Sequence, residues 1–595
     1  MKLKSYVFAA LALSIMSGCS EDEITNNGTD GNQTEADNTA YVSVKINLPA
    51  GTSATRALTE EFDNGTAEEW KVNDVTLLFF AEGGAATEDG YVIRNIASTL
   101  EGINTVKEGL KLPDDAWSNV NGNGNEITVT SAQTNVIGVD NDVCAVAALI
   151  NISSEASIAK ENLRVGKTFG DINTVLSLKV EDVTDKANGF LMTSSPWLNS
   201  LQPATAFNLA PCTPLATVEA AEKNAASVKV ERIVSKVELL ESATVSAELV
   251  SDISSLQEMA SGWHRLGTAE DNYQMAYKVE DGLHAGDIIV IQGWTLDVTN
   301  KKSFPFRKVD VETWSGGDRT IWELISTNNR MYFAIDPNYN GIGYTTESDF
   351  NTINAGSPFS TKLSPASIAD KPVPTDVTRY PRYCLENTFD TDNQTKEQTT
   401  RLVIKAKYYP NNNNAANTSD TDGTWFALNQ RTAHYSLANL KTEIIKIANE
   451  ENIFADNNAD ITLTEGIDCQ VSKVVVNGTA LADDELAKLN AHLEIVRYSE
   501  GICYYPVRIR HFSDAEVYTT AGETYSLPYT AKELGRYGVV RNNSYRVQIN
   551  KISQPGEPDI PPTPDDEPDD DQNLYISCTI DILAWALRPV QNEDL

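Results

Sequence analysis

At 595 residues the chain is long enough for two or more domains, and with 41% hydrophobic residues it can fill sizeable cores. Its 84 acidic residues against 47 basic ones give a net charge of −37. That charge argues against a nucleic-acid partner, because no basic field exists to meet phosphates, and it favours a surface that resists non-specific association.

The first segment, "MKLKSYVFAALALSIMSGC", reads as a targeting signal and not as part of the fold. Lys2 and Lys4 precede an apolar run from Tyr6 to Met16 that is too short to span a bilayer. Ser17, Gly18 and Cys19 resemble the end of a bacterial lipobox, with Met16 where leucine is usual. Such a motif implies acylation of the Cys19 thiol. Residues 20–40 are polar and read as a tether. The stretch "YVSVKINL" then alternates Val42, Val44, Ile46 and Leu48 with more polar residues, the pattern of a strand covering a core. A loop of small residues around Arg56 and Ala57 follows it.

Further segments rich in Val, Ile and Tyr read as strands: 72–81, 126–132, 143–150, 227–240, 287–300, 401–410, 504–512 and 543–552. The best helical pattern lies over 482–496, while 340–400 and the Asn-rich 410–423 read as long surface loops. These elements predict an all-β chain built as two sandwiches, divided near residue 240. From Gln554 to Asn573 prolines and acidic residues predict an extended, solvated linker. About twenty residues at roughly 3 Å each reach on the order of 60 Å. Beyond it, "LYISCTIDI" carries Ile576, Cys578, Ile580 and Ile582 on one face, and the change of parity at Ile582–Leu583 predicts a bend or bulge there.

Signs of catalysis are weak. None of the five histidines lies in HExxH or beside another histidine, and His511 reads as a structural residue in a strand. No nucleophile elbow or phosphate-binding loop is present. "SDTDGTW" at 419–425 has half the spacing of a calcium loop but lacks the terminal glutamate, so it reads as a polar turn. The six cysteines after Cys19 fit no zinc spacing and read as buried free thiols. The residues therefore point to no enzyme, no cofactor and no metal.

Several segments, in order along the chain, resemble the minor-type fimbrial subunits (fimbrillins) of Bacteroidales type V pili. They include the lipobox with Cys19, the Arg56–Ala57 site, "GFLMTSS" (189–195), "VERIVSKVEL" (230–239), "GWTLDVTNKKSFPFR" (293–307), "YCLENTFD" (383–390), "GICYYPVRIRHF" (501–512), "GRYGVVRNNSYRVQINKI" (535–552) and the Trp585 segment. "SEDE" at 20–23 also resembles the acidic export tag of surface lipoproteins in these bacteria. The resemblance implies two transthyretin-like β-sandwich domains, 57–240 and 241–553. It implies a signal peptide over 1–19, a propeptide over 20–56 that includes the strand 41–48, and a linker and donor strand over 554–595. It also implies an outer-membrane lipoprotein precursor carrying palmitate, cleaved between Arg56 and Ala57 by an arginine-specific surface protease. A neighbouring subunit's terminal strand, with Ile576, Cys578, Ile580, Ile582 and Trp585, then replaces the lost Val42, Val44, Ile46 and Leu48. The partners so implied are other copies of the chain and related subunits in a surface fimbrium that supports adhesion. A tip or accessory adhesin and a carbohydrate-binding surface lipoprotein remain as alternatives.

Overall fold

The computed structural model describes residues 39–48 and 65–584, apart from 85–89, 115, 117–130, 154–159, 186, 197–207, 247, 270–271, 310–332, 342–348, 367–377, 412–418, 429–432, 512–516, 521–522, 527–533 and 563–575. In the last strand, side chains are described at Ile576 and Cys578. Strands dominate, as the alternating apolar pattern requires.

The first sheet places its strands in the order Tyr91–Ser98, Val75–Glu82, Val143–Ile150, Met192–Ser194, Ala226–Arg232, Val44–Asn47 and Ser131–Gln133. Its central strands are apolar on both faces. Leu77, Leu78, Phe79 and Phe80 are all fully buried, as are Ala147, Ala148, Leu149 and Ile150. The first core gathers these residues with Val42, Val44, Ile46 and Leu48.

A second core lies between two further sheets. One has the order Arg382–Leu385, Val234–Leu240, Asn543–Ile552, Ile576–Ala584. The other runs Leu249–Val250, Gly262–Leu266, Gln274–Lys278, Ile288–Asp297, Arg401–Tyr409, Ile502–Arg508. Val237, Leu239, Tyr545 and Val547 from the first of these face Trp263, Tyr277, Trp294 and Tyr505 from the second. A module inserted between Arg401–Tyr409 and Ile502–Arg508 has a core of its own. There the helices Leu437–Glu450 and Asp483–Leu493 pack with the strands Trp425–Leu428 and Val471–Val476. Trp425 stacks flat on Tyr498 where the module meets the second core, with ring centroids 3.8 Å apart.

The two large cores share one run of chain. Ala226–Arg232 belongs to the first sheet and Val234–Leu240 to the second, and only Ile233 separates them. From Glu231 onward the polar residues of this run are buried in a charged seam. Lys236 Nζ lies 3.0 Å from Glu69 Oε1, with both side chains wholly buried. Glu69 also accepts hydrogen bonds from Tyr383 Oη at 2.6 Å and from the Thr66 amide at 2.8 Å. The Arg232 guanidinium lies 4.8 Å from the centre of the Trp70 ring. Glu231 accepts from Arg307 at 2.6 Å, and Arg307 also donates to the Arg541 carbonyl. Arg541 pairs with Glu386 at 3.4 Å, and Arg379 pairs with Glu238. Burial lowers the pKa of Arg541, and the carboxylates of Glu386 and Glu231 oppose that shift.

Several expectations need correction. The stretch 340–400 is not all surface loop, because Arg382–Leu385 pairs with Val234–Leu240 and carries the fully buried Cys384 and Leu385. The helix Leu437–Glu450 was missed, although Ser436 caps it and Leu440, Ile444 and Ala448 repeat at helical spacing on its buried face. The expected bulge at Ile582–Leu583 is not there; the register shifts between Ile549 and Lys551 of the partner strand. All six described cysteines are free thiols, but they are not all buried, since Cys144 is exposed and Cys578 is only partly covered.

The seam generates a prediction. Lys236→Met leaves a buried carboxylate without its countercharge and should cost roughly 3–5 kcal/mol. Adding Glu69→Gln removes the charge, keeps an acceptor, and should recover part of the loss. Urea unfolding followed by tryptophan fluorescence checks both; an unchanged midpoint for Lys236→Met contradicts the role given to this pair.

Candidate assembly strands

The residues read from sequence as a removable strand form two short strands that change sheet at Ser43. Thr39–Val42 pairs antiparallel with Ile137–Asp140. Val44–Asn47 runs parallel to Ala226–Lys229 on one side and antiparallel to Ser131–Gln133 on the other. Val42, Val44, Ile46 and Leu48 are 3%, 0%, 0% and 2% exposed, so all four apolar positions fill the first core. Burying each such side chain is worth roughly 1.5–3 kcal/mol. Polar contacts hold the intervening positions. Ser43 Oγ donates to the Thr134 carbonyl at 3.1 Å, the Val44 amide donates to Thr134 Oγ1 at 3.0 Å, and Asn47 Nδ2 donates to the Val228 carbonyl at 3.0 Å. Tyr41 exchanges two backbone hydrogen bonds with Leu215. Taking this stretch away would uncover one backbone edge of Ala226–Arg232 and the apolar floor of Val228, Val230, Ile137 and Val139, all in the first core.

The terminal strand is paired within its own chain. Ile576–Ala584 runs antiparallel to Asn543–Ile552 at the edge of a four-stranded sheet. Ile576 and Cys578 pack against the second core but remain only partly buried. The terminal strand, expected to serve a neighbouring subunit, is folded back onto its own sheet in this structure. An exposed strand edge on Asn543–Ile552 attracts any strand within reach, and the tether brings this one there.

The linker also departs from the expected solvated coil at its start. Residues 504 and 557 exchange backbone hydrogen bonds of 2.8 Å in both directions. Tyr498 Oη donates to the Gly556 carbonyl at 3.0 Å, Tyr505 Oη to the Gln554 carbonyl at 3.2 Å, and Arg401 to the Pro561 carbonyl at 2.5 Å. Gly556 makes the approach possible: a Cβ there would stand 2.4 Å from the Tyr504 carbonyl oxygen. Prolines donate no amide hydrogen but keep their carbonyls, which suits a segment held by side-chain donors.

Cys19, Arg56, Ala57 and Trp585 lie outside the described residues, as do the side chains of Ile580 and Ile582. The fragment of a calcium loop is a hydrogen-bonded turn. Asp422 accepts from the Thr424 amide at 2.8 Å, and Asp420 accepts from the Leu437 amide at 3.0 Å. His511 is buried with its Nδ1 2.7 Å from Tyr545 Oη. Among the described residues no helix is long and apolar enough to cross a membrane.

Residues 496–590 match the family model described as major fimbrial subunit protein type IV, fimbrillin, C-terminal. The match takes in the strand Ile502–Arg508, the strand Asn543–Ile552 and the terminal strand paired with it. Over this segment the chain is similar to the C-terminal part of fimbrillins. No curated protein matches this chain by sequence. Among solved structures, a candidate cell adhesion protein from Parabacteroides distasonis is 12% identical over 92% of this chain and 98% of its own, with a TM-score of 0.38. The tip fimbrial protein Mfa3 from Porphyromonas gingivalis, with C-terminal truncation, is 11% identical over 92% and 100%, at 0.29. A fimbrial assembly protein from Parabacteroides distasonis is 10% identical over 63% and 85%, at 0.22. The similarity to fimbrillins rests on the matched segment.

Deleting residues 574–595 should free the backbone edge of Asn543–Ile552. Amide hydrogen exchange along 543–552 should then accelerate at alternate positions while exchange along 226–232 stays unchanged. Equal protection with and without the terminal strand contradicts the pairing.

Proposed function

We propose that this chain is a structural, non-enzymatic subunit of a surface fimbrium, joined to its neighbours by strand exchange. On this reading the precursor is lipidated at Cys19 and held at the outer membrane. An arginine-specific protease cuts between Arg56 and Ala57 and releases residues 20–56, and with them the strand 41–48. The vacated position then takes Ile576, Cys578, Ile580 and Ile582 of another copy.

The observation that carries the proposal is the burial of Val42, Val44, Ile46 and Leu48 between Ala226–Arg232 and the strands at 131–140. A removable strand with four such residues leaves a long apolar groove with an open backbone edge. A terminal strand of the same parity satisfies both through main-chain hydrogen bonds and alternate side-chain pockets. The three isoleucines contribute on the order of 5–9 kcal/mol before ordering costs.

The in-chain pairing of Ile576–Ala584 with Asn543–Ile552 favours a second reading. A subunit that keeps this strand on its own sheet donates nothing and belongs at an end of the filament, as a tip or accessory adhesin.

Filaments shed from cells separate the two. The stalk reading expects their N-terminal sequence to begin at Ala57, and expects a chain lacking 574–595 to be secreted and cleaved but not polymerised. Cys19→Ala should abolish palmitate labelling and surface filaments. Filaments of normal length without residues 574–595 favour the end-capping reading; filaments that retain residues 41–48 overturn strand exchange.

A further inference from the structure

Sequence spacing offers no metal motif, yet the fold brings His284, Asp287 and His434 together in the interior. His284 and Asp287 sit in the turn that leads into Ile288–Asp297. The Asp287 amide donates to the His284 carbonyl at 2.9 Å, and Gly286 takes a φ of +85° that closes the turn. His434 comes from the inserted module. It lies in the short strand His434–Tyr435, just before the Ser436 cap of the helix Leu437–Glu450, and is held opposite Ala427.

We propose that these three side chains form a structural site for a divalent transition metal of zinc type, pinning the inserted module to the second sandwich. The candidate ligand atoms all lie within 4.8 Å of one another. His284 Nδ1 is 3.3 Å from Asp287 Oδ2, and His434 Nδ1 is 3.8 Å from the same oxygen. Ligands about 2.0–2.1 Å from a tetrahedral zinc stand roughly 3.3–3.4 Å apart, so closing on an ion needs shifts of only tenths of an ångström on these two edges. Two imidazoles and one carboxylate suit zinc and its neighbours, and disfavour calcium or magnesium, which take oxygen ligands.

The surroundings fix the carboxylate as outer partners of a metal ligand do. Tyr408 Oη donates to Asp287 Oδ2 and the Asn411 amide donates to Oδ1, each at 2.5 Å. Trp425 meets the His434 ring edge to face, with centroids 4.5 Å apart. Asp287 and His434 are fully enclosed, and His284 keeps 6% of its surface exposed, which leaves a side for the ion to enter. A metal there neutralises a carboxylate that is otherwise buried at a cost of several kcal/mol of solvation. The competing account is a hydrogen-bonded His–Asp–His cluster that binds no ion.

The test uses the purified full chain, stripped with a chelator and titrated with cobalt(II), then zinc. One cobalt per chain, with the visible absorption of a four-coordinate N/O site that zinc displaces, is expected. Stripping should lower the thermal midpoint and zinc should restore it. His284→Gln, on the more accessible side, should lose the cobalt spectrum and the zinc response while remaining folded. His434→Gln should do the same, but it sits in a packed aromatic cluster, so the wild-type stoichiometry and spectrum decide if it does not fold. No cobalt spectrum in the stripped wild-type chain overturns the site. So does metal binding that persists in His284→Gln, which marks adventitious ions on the acidic surface.

Discussion

The buried pair of Glu69 and Lys236 holds the run of chain on which both candidate assembly strands depend. Residues 226–240 border the leading strand directly, through the parallel pairing with Val44–Asn47. They border the terminal strand at one remove, because Val234–Leu240 pairs with Asn543–Ile552, which in turn carries Ile576–Ala584. An apolar seam of equal volume would be as stable or more so. Charges fix position more narrowly. Lys236 meets Glu69 and Arg307 meets Glu231 on either side of Ile233, so a shift of either strand would part buried charges from their partners.

This arrangement makes the two strand positions unequal. The leading strand fills its position with four side chains that are almost wholly buried. The terminal strand lies at an edge, where its two described apolar side chains are only partly covered. On the proposed reading, strand exchange moves the terminal strand from a shallow edge to a deep groove, and the difference in buried apolar area drives it. Contacts of residues 554–557 with Tyr498, Tyr504 and Tyr505, and of Pro561 with Arg401, narrow the search, since they fix where the linker leaves the second core.

Much of the fold was legible in the sequence. Strand segments with apolar residues at period two, such as 42–48 and 543–552, needed only the alternation rule. The helix Leu437–Glu450 was legible too, from Ser436 and the spacing of Leu440, Ile444 and Ala448, but the polar residues between them masked it. Other features were not local. Lys236 and Glu238 alternate with Val237 and Leu239 as a solvent-facing row would, and Glu231 lies in the preceding strand; only their distant partners Glu69, Arg379 and Arg307 reveal that these charges are buried. The linker composition predicted a free coil, whereas Tyr498, Tyr505 and Arg401 supply donors to its carbonyls. His434 joins His284 and Asp287 only because the inserted module folds back onto the second sandwich.

The most direct test of strand exchange is paired-cysteine crosslinking that distinguishes the two locations of the terminal strand. Thr579 lies opposite Gln548 in this chain, and Ser227 lies opposite Lys45 of the leading strand. With Thr579→Cys and Gln548→Cys together, the unassembled precursor should form a disulfide within one chain. With Thr579→Cys and a cysteine scanned through 226–230, shed filaments should give a non-reducing ladder of dimers, trimers and longer species. A ladder absent at every scanned position, with the in-chain disulfide persisting in assembled filaments, contradicts the account.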